Sequence, residues 1–121
     1  LYSLLGDIYY NSKNYAGVRD AYETSLALKP ENAQVLNNLA WLYATCEEAS
    51  LRDPQRALAL AKLAIRLEQS PHIWDTLAES YFTNGMYHDA VDASQHALGL
   101  AKRNHSYYKD QLNKFKNALA N

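Results

Sequence analysis

Cysteine, proline and glycine are scarce in this chain. Its 121 residues include one Cys, three Pro and four Gly, and each shortage excludes something. The lone Cys46 rules out an intramolecular disulfide framework and any CxxC zinc or redox pair, while leaving both a cytoplasmic and a periplasmic setting open. So few turn formers leave little loop to build. No apolar run approaches the roughly 20 residues of a membrane-spanning helix. No cationic leader is present, and the chain opens Leu1-Tyr2-Ser3, as an excised piece of a longer protein would. A GxSxG elbow, a P-loop, a GxGxxG turn and an HExxH pair are all missing, so neither catalysis nor a cofactor is expected.

Present in quantity are Ala, Leu, Lys, Glu and Gln, the better helix formers, and the expected fold class is all-α. Charge is unevenly placed. Residues 1–101 carry 7 Lys+Arg against 12 Asp+Glu, whereas residues 102–121 carry 5 against one. An acidic body therefore ends in a basic segment, without the general basicity of a dedicated nucleic-acid binder.

The chain repeats itself. Leu5-Gly6 and Tyr9 align with Leu39-Ala40 and Tyr43, then with Leu77-Ala78 and Tyr81, then with Gln111-Leu112 and Phe115, at offsets of 34, 38 and 34 residues. A second set, Val18 and Ser25, Ala57 and Ala64, Ala90 and Ala97, has offsets of 39 and 33, so the irregularity lies inside the middle unit. Leu36, Leu39, Ala40 and Tyr43 fall at helical spacing, as do Leu58, Ala61 and Leu63-Ala64. Asn32, Asp53-Pro54 and Ser70-Pro71 read as helix starts and Asn84-Gly85 as a stop. Seven helices are expected near residues 1–11, 15–28, 33–45, 54–67, 71–83, 86–101 and 105–118, with a longer surface loop at 46–53.

At these residues the chain resembles the tetratricopeptide repeat family, whose pattern is W-x2-L-G-x2-Y, then A-x3-F, then P. Tyr2 to Gly6 with Tyr9, Tyr22 and Pro30 fit one unit, and Trp74 to Ala78 with Tyr81 and Ala90 fit another. Val18 stands where alanine is usual, Leu36 replaces the tryptophan, and the terminal proline is lost from units two and three. The units expected are 1–32 (truncated at its start), 33–70 with the insertion, and 71–104, followed by a capping helix at 105–118. The resemblance implies a right-handed superhelix of antiparallel helices, first helices lining a concave groove and second helices forming the back. It also implies a non-catalytic module or scaffold that holds a protein or peptide partner in that groove. The groove residues would be Ser3, Asp7, Tyr10 and Asn11, then Gln34, Asn37, Asn38, Trp41 and Thr45, then His72, Asp75, Thr76, Glu79, Phe82 and Thr83, with Lys109 and Asn113 closing the far end. Some members clamp the carboxylate end of chaperone tails with groove lysines, arginines and asparagines; only Asn38 matches that set, with Ser3, Asp7, His72 and Thr76 standing at the others.

Trp41 is the leading contact candidate, a large aromatic on a strip reading Asn37, Trp41, Ala44 and Thr45. Packing between units is the competing role for it, and for Tyr10 and Phe82. Asp7, Asp75 and Glu79 bias the groove negative, so a ligand with Lys or Arg beside an apolar anchor is expected. His88, Asp92 and His96 have the spacing of a weak zinc strip but read as the solvated outer face of the array, and no metal site is expected. Cys46 reads as a small residue at a helix end. The basic and aromatic stretch from Lys102 to Lys116 resembles a single-strand nucleic-acid binder in composition, but Tyr108, Leu112 and Phe115 form a core stripe, leaving mostly Tyr107 for stacking. A structural alternative is that the units stack on further repeats, or self-associate weakly through Leu1, Tyr2 and Ile8 at the open first edge.

Overall fold

A computed structural model describes residues 13–121. Six α-helices follow one another: α1 (Tyr15–Leu28), α2 (Ala33–Thr45), α3 (Pro54–Leu67), α4 (Pro71–Thr83), α5 (Tyr87–Leu100) and α6 (His105–Ala120). No strand occurs among the described residues. The helix expected at 1–11, with Leu1, Tyr2 and Ile8, lies outside them.

Local chemistry sets most of the helix ends. Asn14, Asn32 and Asp53 each place a side-chain oxygen on the backbone N–H three residues on, at 3.0, 3.1 and 3.1 Å, satisfying a donor that the first turn leaves unpaired. Pro54 and Pro71 occupy the first turns of α3 and α4, where a missing N–H costs nothing. Ser70 departs from expectation. It precedes α4 without capping it, because its hydroxyl is engaged by Glu68 at 3.0 Å and the His72 ring at 3.2 Å. Gly85 closes α4 at φ +75°, the left-handed conformation that favours glycine.

The 46–53 insertion is pinned rather than loose. It contains a 3-10 turn at Ala49–Leu51, the Asp53 N–H donates to the Tyr43 carbonyl at 3.0 Å, and Arg52 Nε donates to the Cys46 carbonyl at 2.6 Å. Cys46 itself is buried at the end of α2.

Helices pack as antiparallel neighbours, α2 on α3, α4 on α5, and α5 on α6, while α2 also lies against α4. Alanines stand at the closest approaches. Ala40, Ala57, Ala61, Ala64, Ala78, Ala90 and Ala97 are wholly buried, and larger side chains there would push the helices apart. Leu39, Leu42, Leu60, Ile73 and Phe115 fill the space between them. One polar cluster ties three helices together: Glu23 on α1 accepts from the Tyr43 hydroxyl of α2 at 2.7 Å and from Arg56 of α3 at 2.9 Å. Burial, then the Glu23 hydrogen bond, pushes the Tyr43 phenol well above its ordinary value, so it remains a donor.

Candidate functional site

The first helices of successive units, α2, α4 and α6, lie side by side, and α4 touches both neighbours. The residues of α2 expected on this face are Gln34, Asn37, Asn38, Trp41 and Thr45. Gln34 is exposed, Asn38, Trp41 and Thr45 are half-buried, and Asn37 and Ala44 are buried. The strip around Trp41 is thus more enclosed than its polar sequence predicts. The Asn37 amide nitrogen reaches Asn38 Oδ1 at 3.5 Å, but its own Oδ1 is buried without a hydrogen-bond partner. Such an orphaned acceptor costs about 1–3 kcal/mol. Thr45 donates to the Trp41 carbonyl at 2.8 Å, within its own helix.

A polar chain crosses from α2 to α4. Gln34 Nε2 donates to Asn38 Oδ1 at 3.0 Å, leaving Gln34 Oε1 to accept from His72 Nε2 at 3.1 Å. Asn38 in turn donates to the Tyr22 hydroxyl of α1 at 3.4 Å. Gln34, Asn38 and His72, predicted as separate groove positions, are therefore one hydrogen-bonded row over two units.

Asp75 and Glu79 behave differently from a solvent-facing acidic lining. Both are buried and bonded by α6. Tyr107 donates to Asp75 Oδ2 at 2.6 Å, Gln111 bridges Asp75 and Glu79 at 3.0 and 2.9 Å, and Lys114 pairs with Glu79 at 2.6 Å. Lys109 and Asn113, the predicted closing residues, are exposed on α6; the neighbouring stripe Tyr107, Gln111 and Lys114 makes the contact. Its i, i+4, i+7 spacing was visible in the sequence, but its use as a seal on α4 was not. The Tyr107 hydroxyl is consequently committed to a carboxylate. Thr76, also buried, bonds the His72 carbonyl at 3.0 Å, and Thr83 is half-buried. Phe82 packs its ring 5.3 Å from Phe115 and 5.7 Å from Tyr87, with the Lys114 ammonium over its face at 5.2 Å. Ser3, Asp7, Tyr10 and Asn11 lie outside the described residues.

Burial holds the Asp75 carboxyl above its ordinary 3.8, against the Tyr107 and Gln111 hydrogen bonds, which lower it. A carboxyl whose pKa is raised on folding takes up a proton as the chain folds. Its contribution is therefore fully present below 3.8 and lost as pH rises through the higher folded value. Asp75→Asn removes that titration. Urea unfolding across a pH series is expected to show the variant gaining on the parent as pH rises from 3.8; a pH-independent difference would contradict this.

On the opposite side, His88, Asp92 and His96 are exposed along α5. The His96 ring stacks on Trp74 with centroids 4.4 Å apart. No group of three His, Cys, Asp or Glu able to hold a metal ion occurs among the described residues, and no helix there is long and apolar enough to cross a membrane.

Comparison with known proteins agrees with this architecture. Residues 1–32 match the tetratricopeptide repeat family. No curated protein matches significantly. Among solved structures, the chain is similar to the first TPR of Spaghetti (RPAP3) bound to HSP90 peptide SRMEEVD, at 21% identity over 99% of this chain and 91% of that one, with a TM-score of 0.83. It is also similar to the Sgt2 TPR domain from Aspergillus fumigatus, at 23% identity, 98% and 77% coverage and a TM-score of 0.81. A third similar structure is the MamA protein, at 23% identity, 98% and 62% coverage and a TM-score of 0.75. With the repeat matched by sequence over residues 1–32 and the fold of such domains across the residues that follow, the chain is an all-α solenoid of the tetratricopeptide-repeat fold.

Proposed function

We propose that the chain is a non-catalytic protein-interaction module that holds an extended peptide on the face formed by α2, α4 and α6. The observation that carries this reading is Trp41 of α2, a large aromatic left half-buried on a helix whose exposed Gln34 is hydrogen-bonded across to His72 of α4. A side chain resting on the half-buried indole would supply apolar area beside the exposed amide of Gln34. A protein of similar fold is bound to a peptide, SRMEEVD of HSP90, which supports the general mode. The acidic ligand itself is not proposed for this chain. His72 and Thr76 stand on α4 where lysine and arginine would be needed, and Lys114 is paired with Glu79. Asp75 is bonded by the neutral donors Tyr107 and Gln111, and Lys114 is a single cation beside the two carboxyl groups, which leaves the cluster net negative when both are ionised, so the ligand proposed is an apolar anchor flanked by Lys or Arg. Self-association or stacking on further repeats stands as the structural alternative.

Selection from a random peptide display library, followed by calorimetric titration of the selected peptides and of SRMEEVD, tests this. Enrichment of apolar residues next to Lys or Arg, with no measurable SRMEEVD binding, is expected. Enrichment of Asp and Glu, or tight binding of SRMEEVD, would overturn the ligand assignment.

A further inference from the structure

On the side away from that face, an open cleft of about 330 Å3 lies between α1 and α3, at the low end of the roughly 300–1,000 Å3 typical of ligand pockets. Leu26 of α1, Leu36 of α2 and Leu60 and Leu63 of α3 line it, with Glu23 and Arg56 among its polar lining. Its origin is legible in the repeat. By the 38-residue offset Leu36 stands where Trp74 stands in the next unit, and by the 33-residue offset Leu63 stands where His96 does. In that next unit Trp74 lies flat on His96, 17° from parallel, and packs against the buried Ala97, Ala101 and Tyr108. The middle unit has two leucines in place of that stacked aromatic pair, and Leu63 is 45% exposed at the rim.

We propose that this cleft docks a tryptophan side chain of a partner protein, supplying from outside the ring that Trp74 supplies internally one unit later. An indole matches the apolar walls. Its N–H finds Glu23, whose two carboxylate oxygens accept from Tyr43 and Arg56 and keep further lone pairs. The Arg56 guanidinium in the same lining offers a cation for the ring face. This inference is independent of the peptide reading of the opposite face, since it uses none of the same residues.

The test is NMR titration of the whole chain with the peptide Ser-Gly-Trp-Gly-Ser, alongside versions with Leu or Phe in place of Trp. Amide shifts centred on Leu26, Leu36, Leu60 and Leu63 are expected, saturating at around 1 mM peptide. Leu36→Trp restores the internal ring, and is expected to raise Tm and weaken binding at least about tenfold. Should that variant fold poorly, Leu63→Glu at the exposed rim is expected to weaken binding as much with the remaining spectrum unchanged. Equal binding by the Leu peptide or the Phe peptide would overturn the tryptophan assignment. Unchanged binding by both variants, or no shifts up to about 10 mM, would remove the site. Shifts of the same amides on raising protein concentration without peptide would assign the cleft to a second copy of the chain, and overturn the proposal.

Discussion

Phe115→Ala is expected to lower stability by about 3–5 kcal/mol, the usual cost of truncating a buried phenylalanine. Phe115 is wholly buried in the main core although it sits on the last helix. It is packed against Phe82 of α4, and the Lys114 ammonium lies 4.8 Å from its ring centre. In a repeat solenoid each unit is held by its neighbours, so α6 contributes to the stability of the unit it covers. Tyr108 and Leu112 continue the same buried stripe, and truncating the Phe115 ring leaves a cavity beside the contacts that α6 makes with Asp75 and Glu79. Urea denaturation followed by circular dichroism measures the effect. A loss under about 1 kcal/mol would show that α6 is dispensable to the core, contrary to the cost of such cavities.

The second large effect is expected at Trp41, and in binding instead of folding. Trp41→Ala should weaken the selected peptides by about 2 kcal/mol, or roughly 30-fold, because tryptophan is among the residues most enriched at binding hot spots. Trp41 is half-buried on α2, outside the fully buried row of Leu36, Leu39, Ala40 and Tyr43. Helicity should therefore change little. The packing role predicts the reverse pattern, a large fall in melting temperature with affinity per folded molecule intact. Thermal melts and titration calorimetry on this variant separate the two. The enclosure of Asn37 and Ala44 beside it makes the comparison informative, since an indole resting on buried neighbours has more to lose on truncation than one standing in solvent.

Among the described residues, helix positions were readable almost to the residue. The expected spans 15–28, 33–45, 54–67 and 71–83 coincide with α1 to α4, while α5 and α6 differ from expectation by one or two residues at their ends. Capping side chains, first-turn prolines and Gly85 act within a few residues of themselves, so their effect needs no knowledge of the fold. The core stripes are equally local in origin, because helical periodicity selects which residues can face inward. Ser70 stands at the cap position of α4 without a side-chain cap, its hydroxyl engaged by Glu68 and His72, each only two residues away.

The repeat is written into the chain locally: the offsets, the insertion at 46–53 and the leucine at 36 where the next unit has Trp74. Helix packing set how α6 is rotated on α4, and hence that Tyr107, Gln111 and Lys114, not Lys109 and Asn113, reach Asp75 and Glu79. It alone joined Gln34 to His72 across 38 residues, and it alone opened the cleft that Leu36 leaves unfilled. The physical reason is range. Caps and periodicity are set by neighbours three or four residues away, whereas the charge state of a groove and the size of a cleft depend on which side chains from distant segments arrive in the same low-dielectric space.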